Sequence, residues 1–358
     1  MSRIAHHHGP PLAPELRLSR ERPLGYTRIV LETNRSRKPQ GRTAHLSSRQ
    51  IEQIERLQAN IERVFYGKTD VVRSLLAALF SNGHVLIEDI PGIGKTLLAR
   101  ALARSLSCTF RRIQFTADML PSDVTGVSLW DPQRQEFVFK PGPIFANIVL
   151  ADEINRTSPR TQSSLLEGMN EFQVSADGKA YPLPKPFLVL ATQNPHEFEG
   201  TYPLPESELD RFFIRLSIGY PPHEDEMRIL RNYVTTDSVK ALDPVLSADD
   251  VIELQKAAAD VKVEESVARY VLALVAATRE ASGVEVGISP RGGLALYRAA
   301  QAHALIEGRD YVQPDDVKAM CSAVFLHRLI CDGSRDRGED GPAARVVREI
   351  LETVPVPV

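Results

Sequence analysis

Cysteine is scarce in this chain of 358 residues: there are three, Cys108, Cys321 and Cys331. They are odd in number and lack metal-ligand spacing, which excludes a disulfide scaffold and fits a reduced, cytoplasmic compartment. Long apolar runs are missing as well. None approaches the roughly 18 residues of a membrane span, and the N-terminus carries no apolar signal segment. Positive charge is not in excess. Lys and Arg number 43 against 46 Asp and Glu, a net charge of −3, so nothing global points to nucleic acid. No internal repeat stands out. What is there is a chain 43% hydrophobic, with material for a sizeable core and length for two or three domains.

The first 46 residues read as a disordered basic tail, rich in Pro, Arg and Ser, with nine Lys or Arg against Glu15, Glu21 and Glu32. It is either a solvated tail or a docking arm for an acidic partner. His6, His7 and His8 within it are a tag remnant or chance rather than a metal site. From Ser47 the periodicity becomes regular. Ile51, Ile54, Leu57, Ile61 and Val64 recur at three and four, an amphipathic helix capped by Ser47 or Ser48. A second helix is predicted from Thr69 to Phe80.

The rest is organised around VLIEDIPGIGKT, Val85 to Thr96. A short apolar strand runs into a loop of Pro91, Gly92, Ile93 and Gly94, then Lys95, Thr96 and a helix opening with Leu97. Glycines let backbone N–H groups turn around an anion, and the helix adds its positive dipole end. In such a phosphate-binding loop Lys95 reaches the β- and γ-phosphates and the Thr96 hydroxyl holds Mg²⁺. The usual pattern, G-x-x-x-x-G-K-[ST], wants glycine where this chain has Asp89.

Further strands are predicted over Phe110–Phe115, Ile144–Leu150, Phe187–Ala191 and Arg211–Ser217. Hairpins are predicted within 129–139 and around Asp177-Gly178. Strands alternating with helices mean a parallel α/β sheet. After the change of character at Gly219-Tyr220-Pro221-Pro222, only helical periods follow from His223. The domain reading is therefore a tail over 1–46, an α/β core over 47–219, an all-α domain over 220–335, and a C-terminal loop and short helix over 336–358.

Four more motifs carry chemistry. IVLADE puts Asp152 and Glu153 at a strand tip, where open α/β sheets bind ligands. Asp152 would organise the Mg²⁺ shell, and Glu153 would prepare water for attack on the γ-phosphate. ATQNP places Asn194 at another strand end, within reach of that water. Arg211 in ELDRF, at the start of a strand, is either a structural ion-pair residue or an arginine finger given to a neighbour. Arg291 in SPRGG starts a helix of the second domain and could contact the γ-phosphate from there.

Together these stretches resemble the AAA+ ATPases, and within them the MoxR family. The fullest similarity is ADEINRTSPRTQSSLLEGMNEFQV, with VLIEDIPGIGKTLLARALA, QNPHEFEGTYPLPESELDRFF, ISPRGGLALYRAAQAHALIEGRDYVQPDDV and ILETVPVP. It spans about Ser47 to Val358. An acidic pair before PG is itself common in that family, as are inserted hairpins. The resemblance implies a P-loop core, a smaller all-α lid and a phosphate loop from Glu88 to Thr96. It implies Asp152 as the Mg²⁺ acid, Glu153 as the catalytic acid and Asn194 as first sensor. Arg211 becomes the trans-acting arginine and Arg291 the second sensor, sharing one subunit's site with Lys95. It further implies Mg-ATP hydrolysis by a homo-hexamer with chaperone-like action on protein clients, working with a von Willebrand factor A domain partner. Two other classes stay in view: a nucleic-acid motor or loader, suggested by Trp130, Arg134, Phe137 and Lys140 in the first hairpin, and a non-hydrolysing nucleotide switch. Net charge speaks against the first, and the acid pair with Arg211 against the second.

Overall fold

The computed structural model describes residues 46–194, 200–233, 238–332 and 341–357. The expectations for the basic tail, but for Leu46, and for residues 336–340 of the C-terminal loop lie outside the described residues. In chain order the core elements are α1 (Ser48–Glu62), α2 (Thr69–Phe80), β1 (Val85–Glu88), α3 (Lys95–Ser105), β2 (Phe110–Gln114), α4 (Pro121–Thr125), β3 (Gly126–Asp131), β4 (Glu136–Pro141) and β5 (Ile148–Asp152). There follow α5 (Pro159–Glu171), β6 (Gln173–Ala176), β7 (Lys179–Pro182), β8 (Leu188–Gln193), α6 (Glu206–Leu209) and β9 (Ile214–Leu216). The C-terminal elements are α7 (His223–Tyr233), α8 (Ala248–Asp260), α9 (Glu265–Glu280), β10 (Val284–Val286), α10 (Pro290–Ile306), α11 (Pro314–Phe325), β11 (Ile330–Cys331) and α12 (Pro342–Thr353).

Five strands form one sheet in the order β2-β5-β8-β1-β9, and every neighbouring pair is parallel. Parallel strands are covered on both faces and read as continuous apolar runs; β1, β5 and β8 are buried almost throughout. Alternation sorts their side chains between two layers. Val85, Ile87, Ile148 and Leu150 face α1, α2 and α3 through Leu57, Leu75, Leu98 and Leu102. Leu86, Val149 and Ala151 face α5 through Leu165, Leu166 and Met169. The first layer runs on without a break into the helical region, through Leu254, Leu274, Leu296 and Phe325.

Local signals explain most boundaries. Ser47 caps α1 in a reciprocal box with Gln50, and Ser158 and Ser289 cap helices that open with proline. Asp177 and Gly178 take φ of 51° and 73°, the backbone a two-residue hairpin turn requires. Both hairpins form, and they meet where Phe139 stacks on Tyr181 with centroids 4.1 Å apart.

Three expectations change. Ile144–Ala146 is a turn, and β5 starts only at Ile148. Arg211 does not start a strand: the Asp210 and Arg211 amides still bond back to the Glu206 and Glu208 carbonyls, and β9 begins at Ile214. The helical region also carries a small antiparallel ribbon, β10 with β11, too short for periodicity to reveal.

His84 ties the start of the sheet to α5. Its Nδ1 accepts from the Val189 N–H at 3.0 Å, so the proton sits on Nε2 and donates to the Met169 carbonyl at 2.8 Å. Burial holds this ring neutral and pushes its pKa from 6.5 down to about 4. The unfolded chain therefore takes up a proton first as pH falls. Stability is complete above pH 6.5 and is lost toward pH 4, by on the order of 3 kcal/mol from this one group. Urea unfolding across that range is expected to show His84→Gln with a flatter pH dependence than the wild type.

Candidate functional site

The connection from β1 to α3 is a tight loop. Gly92 and Gly94 have φ of +87° and +96°, and Gly94 is the residue from which α3 starts. Side chains avoid that backbone region, and a Cβ on Gly94 would come within 3.3 Å of the Phe65 ring. The loop leaves the first N–H groups of α3 without intrahelical partners, a ready anion cradle. Gly92, Ile93, Gly94 and Leu97 line one end of a cavity of about 750 Å³. Phe65, Tyr66, Ile218, Tyr220, Ile229 and Leu230 line the rest with mostly apolar surface, suited to a flat heterocycle. Pro91 is at its rim, and Thr96 is half-buried in the first turn of α3.

Lys95 donates from Nζ to the backbone carbonyl of Asp89. Burial pushes its pKa down, while the charges of Asp89, Asp152 and Glu153 pull it back up. Because β5, β8 and β1 are parallel neighbours, the loop lysine and the strand-tip acids follow strands at the same sheet edge. Asp152 ends β5. Its Oδ1 accepts from Thr192 Oγ1 at 2.6 Å, and its Oδ2 accepts from Arg112 Nε at 3.0 Å and Nη2 at 2.5 Å. Glu153 follows in the left-handed region, φ 58° and ψ 49°. A non-glycine residue held there is strained by on the order of 1 kcal/mol or more. Its amide donates to Thr192 Oγ1 at 2.9 Å, so one hydroxyl braces both acids. The Glu153 carboxylate accepts from Gln114 Nε2 at 2.6 Å and lies 3.2 Å from Arg156 Nε. Asn194 directly follows β8 at the same edge, and Pro195 of its motif lies outside the described residues.

Asp89 faces elsewhere than the ligand-contacting position expected. Its Oδ2 accepts from the Ile218 and Gly219 amides at 2.6 and 2.8 Å and from Ser217 Oγ at 3.3 Å, and its Oδ1 from the Ile90 amide at 2.8 Å. The carboxylate is spent on the segment leading into the helical region, and only the carbonyl meets Lys95. Beside it, buried Glu88 binds both Arg215 and Gln193.

The two arginines go the other way. Phe213 donates to the His84 carbonyl at 2.8 Å, which fixes the end of the Arg211 turn at the edge where the strands begin. Among the described residues the Arg211 guanidinium has no hydrogen bond or ion pair. Arg291 donates to Asn170 Oδ1 at 2.7 Å, next to Met169 at that same edge. Nearby, Asp210 accepts from Arg328 Nε at 2.7 Å and from Ser289 Oγ at 3.3 Å, which pins the start of α10 there. Strands of this length span roughly 15 Å. Arg291 is thus held near the edge where the strands begin, and Lys95 at the edge where they end. α10 packs on α11, α2 and α8.

Arg112, Gln114, Thr192, Arg156 and Arg215 are the contacts that sequence reasoning missed. The signal for two of them was present. Arg112 and Gln114 alternate with Ile113 along β2, so they share a face, and Gln114 pairs in register with Asp152.

A phosphate loop between strand and helix, an acid pair on a nearby strand tip and a helical region after the sheet define a P-loop α/β nucleotide-binding protein with a lid. Sequence profiles agree: residues 84–214 match the ATPase family associated with various cellular activities (AAA), and residues 276–350 match the AAA lid domain. The chain is 49% identical to the uncharacterised protein YeaC of Bacillus subtilis over 84% of its own length and 93% of that protein's. It is 41% identical to the chaperone MoxR1 of Mycobacterium tuberculosis over 86% and 83%, and 30% identical to the protein MoxR of Methylorubrum extorquens over 84% and 94%. The crystal structure of a candidate ATPase from Cytophaga hutchinsonii superposes with a TM-score of 0.79 at 36% identity, covering 87% of this chain and 96% of that one. The chain belongs to the MoxR family of AAA+ ATPases. Among the described residues no helix is long and apolar enough to cross a membrane.

Membership implies a nucleotide with a divalent metal, and the donor set fits both. Among the described residues no group of three His, Cys, Asp or Glu side chains could cage an ion alone. One carboxylate and one hydroxyl beside an anion cradle suit Mg²⁺, which keeps waters and leans on phosphate oxygens. Thr192→Val removes the shared brace with little change of volume. It is expected to lower ATP turnover roughly 10- to 100-fold and, by leaving the Glu153 amide without its acceptor, to cost about 1–3 kcal/mol of stability, read by phosphate release and thermal melting.

Proposed function

We propose that this chain is a Mg²⁺-dependent ATPase acting as a homo-hexameric ring in the cytoplasm. In this reading ATP hydrolysis drives chaperone-like remodelling, assembly or activation of protein complexes, with a von Willebrand factor A domain protein as partner. The observation that carries it is the split of functional groups: Lys95 with Asp152 and Glu153 at one sheet edge, and Arg211, without a partner among the described residues, with Arg291 at the other.

Lys95 exchanges the Asp89 carbonyl for β- and γ-phosphate oxygens, and the α3 amides receive the remaining charge. Thr96 and Asp152 would hold the metal. Mg²⁺, when bound, offsets phosphate charge. Glu153 orients the attacking water and takes its proton, and Asn194 offers that water a second hydrogen bond. Arg211, and with it Arg291, completes the site of a neighbouring copy, where such an arginine is worth on the order of 10³–10⁵ in rate. The Asp89 bonds to residues 217–219 give movements of the phosphate loop a path into the helical region. The chaperone naming of the mycobacterial relative supports a protein client.

The nucleic-acid reading is less well supported. Trp130 and Phe137 of the first hairpin are exposed, 53% and 71%, but Arg134 is answered by Asp131 and Glu136 at 3.8 and 4.0 Å, so the tip is no basic groove. Salt-dependent binding of single-stranded DNA would revive it.

Glu153→Gln is expected to keep ATP binding and lose turnover by about 100-fold or more. Arg211→Ala alone should be similarly slow. Mixing the two variants should restore phosphate release, because one supplies the intact acid and its neighbour the arginine. Two inactive variants that stay inactive when mixed would remove Arg211 from a neighbour's site. Affinity capture with Glu153→Gln and ATP should hold the client and partner for identification.

A further inference from the structure

Arg112 lies on β2, the edge strand, and its guanidinium reaches across to β5. There it grips Asp152 Oδ2 through two nitrogens, at 3.0 and 2.5 Å. Nη2 also donates to Gln114 Oε1 at 2.8 Å. That bond fixes which way the Gln114 amide faces, and its Nε2 donates to Glu153 Oε2 at 2.6 Å. One cation therefore touches one acid directly and the other through a single amide. Its side chain is 48% exposed, whereas that of Asp152 is 13% exposed, so the arginine can leave and the carboxylate cannot.

We propose that Arg112 is the resting counter-ion of Asp152 and a positioning residue for Glu153. It occupies the charge of the metal-side acid until the divalent ion arrives, and so sets how much Mg²⁺ the site requires. This rests on the reading of Asp152 as the metal-side acid. The physics is a competition. An isolated carboxylate at this strand tip would be costly to leave uncompensated. A fixed positive charge on the same oxygen repels an incoming divalent ion across a few ångströms, where screening is weak. Removing that charge favours the metal. Phosphate contacts made by Lys95 and the loop amides do not involve Arg112, so nucleotide affinity without metal is indifferent to it.

The test is a titration of Mg²⁺ against the binding of a fluorescent ADP by the full chain, followed by polarisation, with a parallel measurement in EDTA. Arg112→Gln, which keeps length and hydrogen bonding without charge, is expected to lower the Mg²⁺ midpoint roughly 3- to 10-fold. Arg112→Lys keeps the charge and should stay within about two-fold of the wild type. All three proteins should bind the ADP alike in EDTA. A midpoint for Arg112→Gln that is unchanged or raised overturns the proposal. So does a parallel shift with and without metal, the mark of a purely structural role. A wild type whose ADP binding ignores Mg²⁺ would overturn the metal-site reading itself and this inference with it.

Discussion

Parallel pairing of β5, β8 and β1 is the constraint on which the rest of the molecule depends. In a parallel sheet every strand ends at the same edge, so the loops that follow are neighbours in space however far apart in sequence. Burial on both faces then locks the register. A slip of one residue in β1 would send Val85 and Ile87 to the α5 side and Leu86 to the other, breaking both layers at once. With the register locked, Glu88 lies opposite Gln193 and Gln114 opposite Asp152. The site contacts follow from those pairings rather than from any local preference of the loops.

That edge collects four carboxylates, from Glu88, Asp89, Asp152 and Glu153, and each has an assigned partner. Glu88 holds Arg215, Asp89 holds amides at 218 and 219, Asp152 holds Thr192 and Arg112, and Glu153 holds Gln114. Side chains of Glu88 and Arg215 are only 4% and 9% exposed, and buried ions cost several kcal/mol each unless paired this closely. The pairing explains how an aspartate can stand where a phosphate loop ordinarily has glycine. Its carboxylate turns away from the cradle to anchor the next segment, and the glycines that need positive φ are Gly92 and Gly94. The groups that would meet a triphosphate are thus braced before it arrives, which is what makes electrostatic catalysis efficient.

The sequence was most informative where one physical signal dominated. Apolar periodicity placed α1 and α2 within a few residues and marked everything from His223 as helical, and Asp-Gly placed the β6–β7 turn. Lys95 and the acid pair were legible because glycine loop, lysine and paired acids at strand tips are rare together by chance. What stayed hidden depended on tertiary contact. Arg112 and Thr192 are ordinary residues until the sheet sets them against Asp152. The side of the sheet reached by Arg291 depends on how α10 packs, and no spacing within SPRGG encodes that. The short ribbon of β10 and β11 pairs residues some 45 apart with two or three on each side, below anything alternation can show.

The position of the two arginines has a consequence for assembly. Arg211 carries a charge that nothing among the described residues neutralises, on the edge where the strands begin. Arg291 starts a helix whose cap Ser289 bonds Asp210, and its guanidinium donates to the amide oxygen of Asn170. Arg291 is carried by α10, whose apolar face shares a core layer with the sheet. In the proposed reading these arginines serve a nucleotide bound by another copy. A contact of one edge against the opposite edge of the next molecule is heterologous, and such contacts close into rings when the rotation allows. In the proposed hexamer each chain would then receive arginines on one side and lend them on the other. Hydrolysis in one subunit would thereby depend on the placement of its neighbour, which is the property a ring needs to convert nucleotide turnover into concerted movement.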